Sequence, residues 1–469
     1  MRILRYGLIL STILVILGLS SCKKDLIFSK NHLEFSQDTV LFDTVFTTVG
    51  STTQYFKIYN NNSLPITVDE IQLMGGDASP FRINVDGIPE DEFTSVQIPA
   101  NDSLFVFVEV TLSVNGGTLP LVVQDSVRFR TNGLDQYVNL DVWGQDAYFH
   151  VNELTEGTWP NDKPHVLYGT VACGFPGLDS NKNLTIQAGT NIYCHKNSQL
   201  IIYKSSLDIQ GTYMNEVTFQ GDRLESFYDD KSGQWWGIRL IEAQESSIDY
   251  AIIRNGSVAL QVDSTMDATT LNLSNTIIDN NDFFGLNVNA GSNVQVENCI
   301  FGSAGICSVY LFAGGEYNFK HCNFVNYWKG SRAGPAFAMT NHWEYEGTAF
   351  CRDIVNSNFS NCVAYGNIDL EWEVDTLDCS GATIDFEVHN CLLKRVDETY
   401  DYSNYFSMIW NEDPGFISTV ADELDLHYDD SSPLFGAGNG LVPDYSNFSD
   451  LEGIGRTPAV DIGCYELPD

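Results

Sequence analysis

The sequence predicts an all-β protein, with a β-sandwich over residues 30–146 followed by a parallel β-helix over residues 169–469. Two observations lead to this fold class. Short runs of alternating apolar and polar residues recur between turn residues in the first part of the chain, and this spacing is typical of a sandwich. Later, segments of one common pattern return after 25, 23, 23, 40 and 29 residues, which is the behaviour of stacked coils.

The N-terminal residues predict an exported, lipid-anchored precursor. Arg2 and Arg5 precede an apolar run of 14 residues, too short for a membrane-spanning helix, which needs about 20. The run closes on Leu-Ser-Ser and Cys22, an ending that resembles the bacterial lipobox. We therefore expect a signal peptide over 1–21, lipidation of Cys22 and a tether over 22–29, since two or three acyl chains hold a protein stably on a membrane.

The lipid anchor implies an outer-membrane lipoprotein, but it leaves the leaflet open. Cys22 is followed by Lys-Lys-Asp, not by the acidic run that resembles surface-export signals. The periplasmic face and the cell surface therefore both remain open.

The net charge limits the classes of molecule that the protein can bind. Only 18% of residues are charged, yet the net charge is −38, with 62 acids against 24 Lys and Arg. Nucleic acid is excluded as a partner because phosphate binding needs a basic surface. An anionic polysaccharide is disfavoured unless a cation such as calcium bridges the two, and no cofactor is otherwise indicated. Acid spread this widely is typical of a solvated exterior.

The segment 30–146 contains the sandwich strands. Residues 55–59 alternate in polarity, Asn60-Asn61-Asn62 form a turn, and a second run follows over 66–71. The pattern beginning at Phe56 and Pro65 resembles bacterial immunoglobulin-like domains, which implies a spacer or docking module. Residues 147–168 lack periodicity and are expected to form a linker or cap.

Six segments define the β-helix repeat. They align on a small residue preceded in most cases by Asn. The small residues are Ala251, Thr276, Cys299, Cys322, Cys362 and Cys391. The residues before them are Tyr250, Asn275, Asn298, His321, Asn361 and Asn390. Because neighbouring coils lie about 4.8 Å apart, equivalent side chains stack, and we expect an asparagine ladder beside a column of small inner residues.

The cysteines other than Cys22 allow two interpretations. Their even number, ten in an exported chain, favours disulfides. The four in the column are better explained as small buried residues, because a stacking distance of about 4.8 Å exceeds the usual disulfide Cβ separation. The pairing of the other six stays open.

Three short segments are distinctive: Leu-Thr-Ile-Gln-Ala-Gly-Thr over 184–190, Trp-Trp-Gly over 235–237, and Asp-Ile-Gly-Cys-Tyr-Glu over 461–466. Through them, residues 170–469 resemble the right-handed β-helix proteins common among Bacteroidetes envelope lipoproteins, which share the shape of the pectate-lyase superfamily. The last segment resembles their terminal cap. The resemblance implies a right-handed parallel β-helix. It implies no single reaction, and the Gly-His-Gly and Arg-x-Lys motifs of the polygalacturonase branch are missing.

A run of acids is the first candidate site. Its members alternate with apolar residues, so a strand would place them all on one face. Acidic side chains about 7 Å apart along a strand can bind calcium or raise a carboxyl pKa, although a solvated outer face explains them as well. They are Asp369, Glu371, Glu373 and Asp375.

An aromatic insertion between the Cys322 and Cys362 coils is the second candidate site. Flat rings beside hydrogen-bonding groups suit sugar binding, and packing against the flank of the helix is the alternative. The candidate glycan-binding residues are Tyr327, Trp328, Arg332, His342 and Trp343.

Two functional hypotheses follow, with a purely structural role as a third. The first is an envelope lipoprotein whose β-helix presents a non-catalytic surface to a glycan or to another envelope protein. The second is a polysaccharide lyase or glycoside hydrolase with the acids and the insertion lining a groove. The enzyme hypothesis requires Arg239, the acids, Trp328 and Trp343 to share one concave face.

Overall fold

The protein is described by a computed structural model that covers residues 32–113, 121–263, 270–332, 334–379, 381–396, 402–420, 423–440, 449–456 and 459–468. Cys22, the predicted signal peptide and the predicted tether lie outside the described residues. The chain divides into two compact units, the first ending at Asp146 and the second beginning at Ala147. Across the described ranges, no helix has the length and apolar character needed to span a membrane.

The first unit consists of two five-stranded sheets. One sheet has the order β1-β3-β8-β5-β6 and the other β2-β10-β9-β4-β7. All pairings are antiparallel except β2 with β10. A 3₁₀ turn, Gly76–Ala78, separates β4 from β5. The strands are β1 Glu34–Phe35, β2 Thr39–Phe46, β3 Gln54–Asn60, β4 Ile66–Leu73, β5 Phe81–Val85, β6 Ile88–Pro89, β7 Glu92–Ile98, β8 Asp102–Val110, β9 Leu121–Thr131 and β10 Leu134–Gln145.

The two sheets share one apolar core. Side chains alternate along each strand, so β3 turns Phe56 and Ile58 inward while β9 turns Phe129 inward from the other sheet. The Phe56 and Phe129 rings meet edge to face with centroids 5.9 Å apart, a favourable aromatic geometry. Period-2 alternation thus folds this segment into two facing sheets.

The second unit is a parallel β-helix. In most coils the chain passes through three sheets in turn, with parallel pairing between successive coils. A 3₁₀ turn, Ser226–Tyr228, precedes β20. The strands are β11 Tyr148–Val151, β12 Gly157–Trp159, β13 His165–Tyr168, β14 Thr170–Cys173, β15 Asn183–Gln187, β16 Asn191–Cys194, β17 Gln199–Tyr203, β18 Ser206–Gln210, β19 Val217–Gly221, β20 Gly237–Ile241, β21 Ser246–Asp249, β22 Ala251–Arg254, β23 Val258–Asp263, β24 Thr270–Ser274, β25 Ile277–Asp279, β26 Phe284–Asn289, β27 Ser292–Glu297, β28 Ile300–Phe301, β29 Cys307–Phe312, β30 Gly315–Lys320, β31 Asn323–Asn326, β32 Phe337–Thr340, β33 His342–Tyr345, β34 Thr348–Cys351, β35 Ile354–Ser360, β36 Val363–Gly366, β37 Trp372–Asp375, β38 Ile384–His389, β39 Leu392–Leu393, β40 Tyr405–Phe406 and β41 Ile409–Trp410.

The three sheets are named by the order in which a coil meets them. Sheet 1 has eleven strands, β11-β13-β16-β19-β22-β25-β28-β31-β36-β39-β41. Sheet 2 has eight, β14-β17-β20-β23-β26-β29-β32-β37, and sheet 3 has ten, β12-β15-β18-β21-β24-β27-β30-β35-β38-β40. At about 4.8 Å per strand, sheet 1 extends about 48 Å. Strands β33 and β34 form a separate antiparallel hairpin.

The corner between sheets 3 and 1 explains the asparagine position of the repeat. All six residues there have φ between 46° and 55°, a left-handed conformation that Asn adopts more readily than most residues. The predicted ladder is confirmed where Asn298 Nδ2 donates to Asn275 Oδ1 over 3.1 Å. His321 replaces asparagine in this ladder, and its Nε2 lies 2.9 Å from Asn361 Nδ2.

The cysteine column is buried, as predicted. The thiols of Cys299, Cys322, Cys362 and Cys391 are unpaired and lie in the β-helix core. Burial raises the pKa of the Cys391 thiol. Outside the column, a disulfide joins Cys351 of the hairpin to Cys379 in the loop after β37. Small apolar side chains, not crosslinks, therefore fill this inner corner.

The C-terminal segment after β41 returns along the outside of sheet 1. It has two apolar contact clusters with outward-facing residues of that sheet. One joins Leu426, Leu451 and Cys464 to Ile300 and Val325. The other joins Tyr428, Leu434 and Ile462 to Val363 and Leu392. The segment predicted as a terminal cap is thus a lateral cover, which we call the tail.

Candidate functional site

The outer surface of sheet 2 is the best candidate for a ligand-binding face. Its central row is formed by one residue from each of the seven strands from β17 to β37, held in register by parallel pairing. The row reads Ile201, Arg239, Gln261, Asn287, Tyr310, Ala338 and Glu373. A neighbouring row, two residues further along five of the same strands, reads Asp263, Asn289, Phe312, Thr340 and Asp375. We call these two rows the open face.

Burial alternates along the strands that carry the open face. In β26, Leu286 and Val288 are buried, whereas Asn287 and Asn289, which flank Val288, are partly exposed. The same alternation holds in β29, where Tyr310 and Phe312 flank buried Leu311. Period-2 alternation therefore directs the apolar residues into the core and the polar and aromatic residues outward.

A hydrogen-bonded group occupies the middle of the open face. The carboxylate of Asp263 accepts from Gln261 Nε2 at 2.7 Å and from Asn289 Nδ2 at 2.6 Å, and it pairs with Arg239 Nε. Beside it, Asn287 Oδ1 is enclosed and accepts no hydrogen bond from the described residues. Three side chains of the same face therefore hold the Asp263 carboxylate in place.

Aromatic rings continue the open face towards later coils. Phe284 and Tyr310 stack with centroids 5.7 Å apart and an interplanar angle of 15°, and the Tyr310 and Phe312 rings are also 5.7 Å apart. Burial raises the pKa of Tyr310, so its hydroxyl stays protonated and can donate as well as accept. At the other end, a cavity of about 300 Å³ is lined in part by exposed Trp236 and by Arg239.

The four predicted acids do not share one face. Glu373 and Asp375 point outward from β37, as the alternation predicts, and Asp369 is exposed before the strand. The prediction is wrong for Glu371, which is buried because its carboxylate binds Arg332 and accepts hydrogen bonds from the backbone N–H groups of Ala336 and Ile368. No metal-binding group of three or more His, Cys, Asp or Glu side chains occurs among the described residues.

The aromatic insertion is divided by strand β32. Tyr327 precedes the strand and packs against the tail cluster of Leu426 and Leu451, where burial raises its pKa. Trp328 also precedes β32, and its ring lies beside Gly305, before the start of β29. The Arg332 side chain is only 2% exposed beside Glu371. These three residues therefore lie away from the open face.

His342 and Trp343 follow β32 and border the open face. His342 Nε2 lies 3.8 Å from Asp375 Oδ2. Trp343 stacks on Phe350 across the hairpin, with centroids 5.5 Å apart. Asn341 fixes the base of this hairpin, because its side chain accepts from Leu377 N at 2.8 Å and donates to Leu377 O at 3.0 Å.

The constellation required by the enzyme hypothesis is only partly formed. Arg239, Glu373 and Asp375 share the open face, but five strand intervals, about 24 Å, separate Arg239 from Glu373. Trp328 lies at the opposite end of β32 from Trp343. Asn287, Tyr310 and Phe312 were not predicted as site residues. Their strands alternate in polarity and follow each Asn–small-residue pair by about one third of a coil, and this pattern could have indicated them.

No family model matches the chain, and no curated protein does. Among solved structures, the catalytic domain of a GH87 α-1,3-glucanase aligns over 76% of this chain and 88% of its own, with 10% identity and a TM-score of 0.22.

Two further solved structures align with shorter parts of the chain. A family 123 glycoside hydrolase from Clostridium perfringens aligns over 24% of this chain with 10% identity and a TM-score of 0.17, and the chain spans about a quarter, 26%, of its length. A PapD-like domain of human CEP192 aligns over 27% of this chain and 94% of its own, with 13% identity and a TM-score of 0.18.

Proposed function

We propose that the protein is a non-catalytic glycan-binding protein whose ligand is an extended, neutral polysaccharide lying along the open face. The observation that carries the proposal is the row from Arg239 to Glu373, in which amide, aromatic and charged side chains recur on successive strands. A repeat of about 4.8 Å presents equivalent contacts to a ligand that is itself a repeating chain.

The side-chain chemistry supports a sugar ligand. Amides such as Gln261 and Asn287 both donate and accept hydrogen bonds, as sugar hydroxyls do. Rings such as Tyr310 and Phe312 offer apolar surface with a polar group nearby, a combination typical of small-ligand sites.

The charge of the face supports a neutral ligand. Arg239 is already paired with Asp263, so its charge is largely compensated. The other charged groups of the two rows, Glu373 and Asp375, are acids, and the chain as a whole carries a net charge of −38. An anionic polysaccharide would be repelled in the absence of a bridging cation.

A hydrolase or lyase is the second candidate, supported by the group of Glu373, Asp375 and His342. Residues two apart on a strand are separated by about 6.6 Å, close to the carboxyl separation of inverting glycosidases. Only one end of the open face has this arrangement. Non-catalytic binding accounts for the full length of the face and is preferred.

The test uses the mature chain and a panel of neutral and uronic-acid polysaccharides, with and without calcium. Binding is measured by affinity electrophoresis and calorimetry, and cleavage by new reducing ends and by the absorbance of unsaturated products. We expect binding of a neutral polymer with no products. Product formation that is lost in Glu373→Gln would establish the enzyme, and absence of binding to every polymer would refute the proposal.

A matched pair of variants locates the binding. Asn287→Ala removes an amide from the open face, whereas Asn272→Ala removes one from the equivalent outward row of sheet 3. We expect the first to weaken binding about three- to tenfold, the effect of one hydrogen bond, and the second to leave it unchanged. Equal effects would place the ligand elsewhere.

The proposal includes the location and the finer fold assignment. We infer an outer-membrane lipoprotein of the Bacteroidetes type, anchored through Cys22 on the periplasmic face or at the cell surface, with an immunoglobulin-like first unit and a right-handed helix, the hand that parallel β crossovers favour. Metabolic labelling with a palmitate analogue tests the anchor, and Cys22→Ser should abolish the label. Protease treatment of intact cells distinguishes the two leaflets.

A further inference from the structure

A second cavity lies outside the open face, under the β33–β34 hairpin. Its volume is about 710 Å³, within the range of small-molecule sites. Gly291, Asn293 and Glu316, at the corner between sheets 2 and 3 of two adjacent coils, form one wall. Hairpin residues 349–353 and Cys379 form the facing wall, and the Cys351–Cys379 disulfide ties the hairpin down there.

Arg352 provides an uncommitted cation in this cavity. The other arginines of the β-helix described above are paired with carboxylates, Arg239 with Asp263 and Arg332 with Glu371. The guanidinium of Arg352 instead lies 5.5 Å from the centre of the Trp343 ring, with no carboxylate partner among the described residues. Its N–H groups therefore remain available to a ligand.

Gly291 makes room for that guanidinium. A Cβ atom at residue 291 would lie 3.2 Å from Arg352 Nη1, and the backbone there has φ of +76°. A larger residue would press on the Arg352 head group and strain the turn. The lack of a side chain at Gly291 thus leaves this space to the guanidinium.

Arg352 and Glu316 line the same cavity without pairing with each other. A guanidinium only donates hydrogen bonds and an ionised carboxylate only accepts them. A hydroxyl can accept from Arg352 and donate to Glu316 at the same time. Asn293 Oδ1 accepts from Gln295, which leaves its N–H groups for a further acceptor.

The remaining surface of the cavity contains an apolar ring. Phe350 is 42% exposed at the cavity wall, while its other contact is the stacked Trp343 ring. A ligand with several hydroxyls and one apolar face satisfies both the polar and the aromatic side chains. With one cation and the acids Glu316 and Asp353, the lining does not favour an anion.

We propose that this cavity is a binding site for a single neutral pyranose residue, with Arg352 and Glu316 hydrogen-bonding its hydroxyls and Phe350 packing on its apolar face. The site is separate from the open face and does not depend on the function proposed there. A free sugar or a terminal sugar of a larger glycan presents the same chemistry.

The test uses the mature chain with the methyl glycosides of glucose, galactose, mannose, N-acetylglucosamine, fucose and rhamnose. Saturation-transfer NMR detects binding and calorimetry measures affinity. We expect at least one glycoside to bind, with affinity reduced about tenfold or more in Arg352→Met and in Glu316→Gln, since hydrogen bonds to charged groups contribute most. Lys196→Met, an exposed cation on another turn, is the matched control.

The outcomes separate the alternatives. Binding that both cavity variants weaken and Lys196→Met leaves intact supports the site. Binding that neither cavity variant changes, or no binding of any of the six glycosides, overturns it. Near-ultraviolet circular dichroism confirms that each variant keeps the native fold, which is expected because Arg352 and Glu316 carry no core contacts. Binding of a polysaccharide without any monosaccharide binding supports the open face alone.

Discussion

The outer surfaces of sheets 1 and 2 are built from the same coils yet have opposite characters. Sheet 1 directs Ile300, Val325, Val363 and Leu392 outward, and the tail covers them until at most 4% of each remains exposed. Sheet 2 directs amides, acids and aromatic rings outward, and most of them remain partly exposed. The tail thus covers the apolar side of these coils, while the hydrogen-bonding side remains partly exposed.

The comparison extends to single residues around strand β37. The side chains of Arg332 and Glu371 are at most 2% exposed, whereas Glu373, two residues after Glu371, remains partly exposed. Burial here comes from specific partners, because a buried carboxylate must have its charge and its lone pairs satisfied. The following variants test the comparison, beginning with the largest expected effect.

Arg332→Met should leave the Glu371 carboxylate buried without its cation. We expect the free energy of unfolding to fall by about 3–5 kcal/mol, measured by urea denaturation. The control is Arg239→Met on the open face, where an exposed ion pair contributes about 1 kcal/mol or less. Similar losses in the two variants would contradict the division into covered and open sides.

Ile462→Ala should loosen the tail from sheet 1. Ile462 is fully buried against Val363 and Leu392, so its truncation should lower the free energy of unfolding by about 2–5 kcal/mol and reduce hydrogen-exchange protection in the tail. Ile417→Ala provides a control in the same tail, because Ile417 is 68% exposed. Unchanged protection in Ile462→Ala would show that the tail does not depend on this contact.

His165, a buried residue at the start of β13, should make the free energy of unfolding depend on pH. Burial, with a smaller contribution from His150, lowers its pKa to about 4 from an ordinary value of 6.5. Its ring stacks on Trp159 at 4.7 Å and on His150 at 5.1 Å. Between these two pH values the unfolded chain binds a proton that the folded chain does not, so stability is full above pH 6.5 and falls towards pH 4.

The expected loss attributable to His165 is up to about 3 kcal/mol between pH 6.5 and 4. Urea denaturation across this range should show a smaller pH dependence in His165→Gln than in the parent chain. His389→Gln, which changes a partly exposed histidine of β38, should retain the parent pH dependence. An unchanged profile in His165→Gln would show that other groups are responsible.

Tyr310→Ala should have the smallest effect on stability and a clear effect on function. Its ring lies on the open face, where it stacks on Phe284 and lies tilted beside Phe312, so we expect a loss of about 1 kcal/mol or less. Affinity for the neutral polysaccharide should fall about tenfold, because one aromatic contact is lost. A large loss of stability with unaltered binding would identify the ring as a structural element.

The coil repeat could be predicted because it depends on local rules. Small residues such as Cys322 and left-handed residues such as Asn298 recur at one corner, and both preferences are properties of single positions in the chain. The candidate site was predicted less well. Glu371 satisfies the alternation rule by spacing, but the strand begins only at Trp372, and Arg332 draws the Glu371 side chain inward.

The sequence by itself determined the alternating strands of the repeat, its left-handed corner and the burial of the cysteine column, since period-2 alternation and backbone preference act within a few residues. It did not show the β-helix strands β11, β12 and β13, which lie in the segment 147–168 that was expected to be a linker or cap. Only the tertiary structure decided which outer surface stays open. That outcome depends on where the tail and the disulfide-linked hairpin pack. Such contacts join residues far apart in the chain, for example His321 to Gly463, and their free energy comes from surfaces that exist only after the coils have stacked.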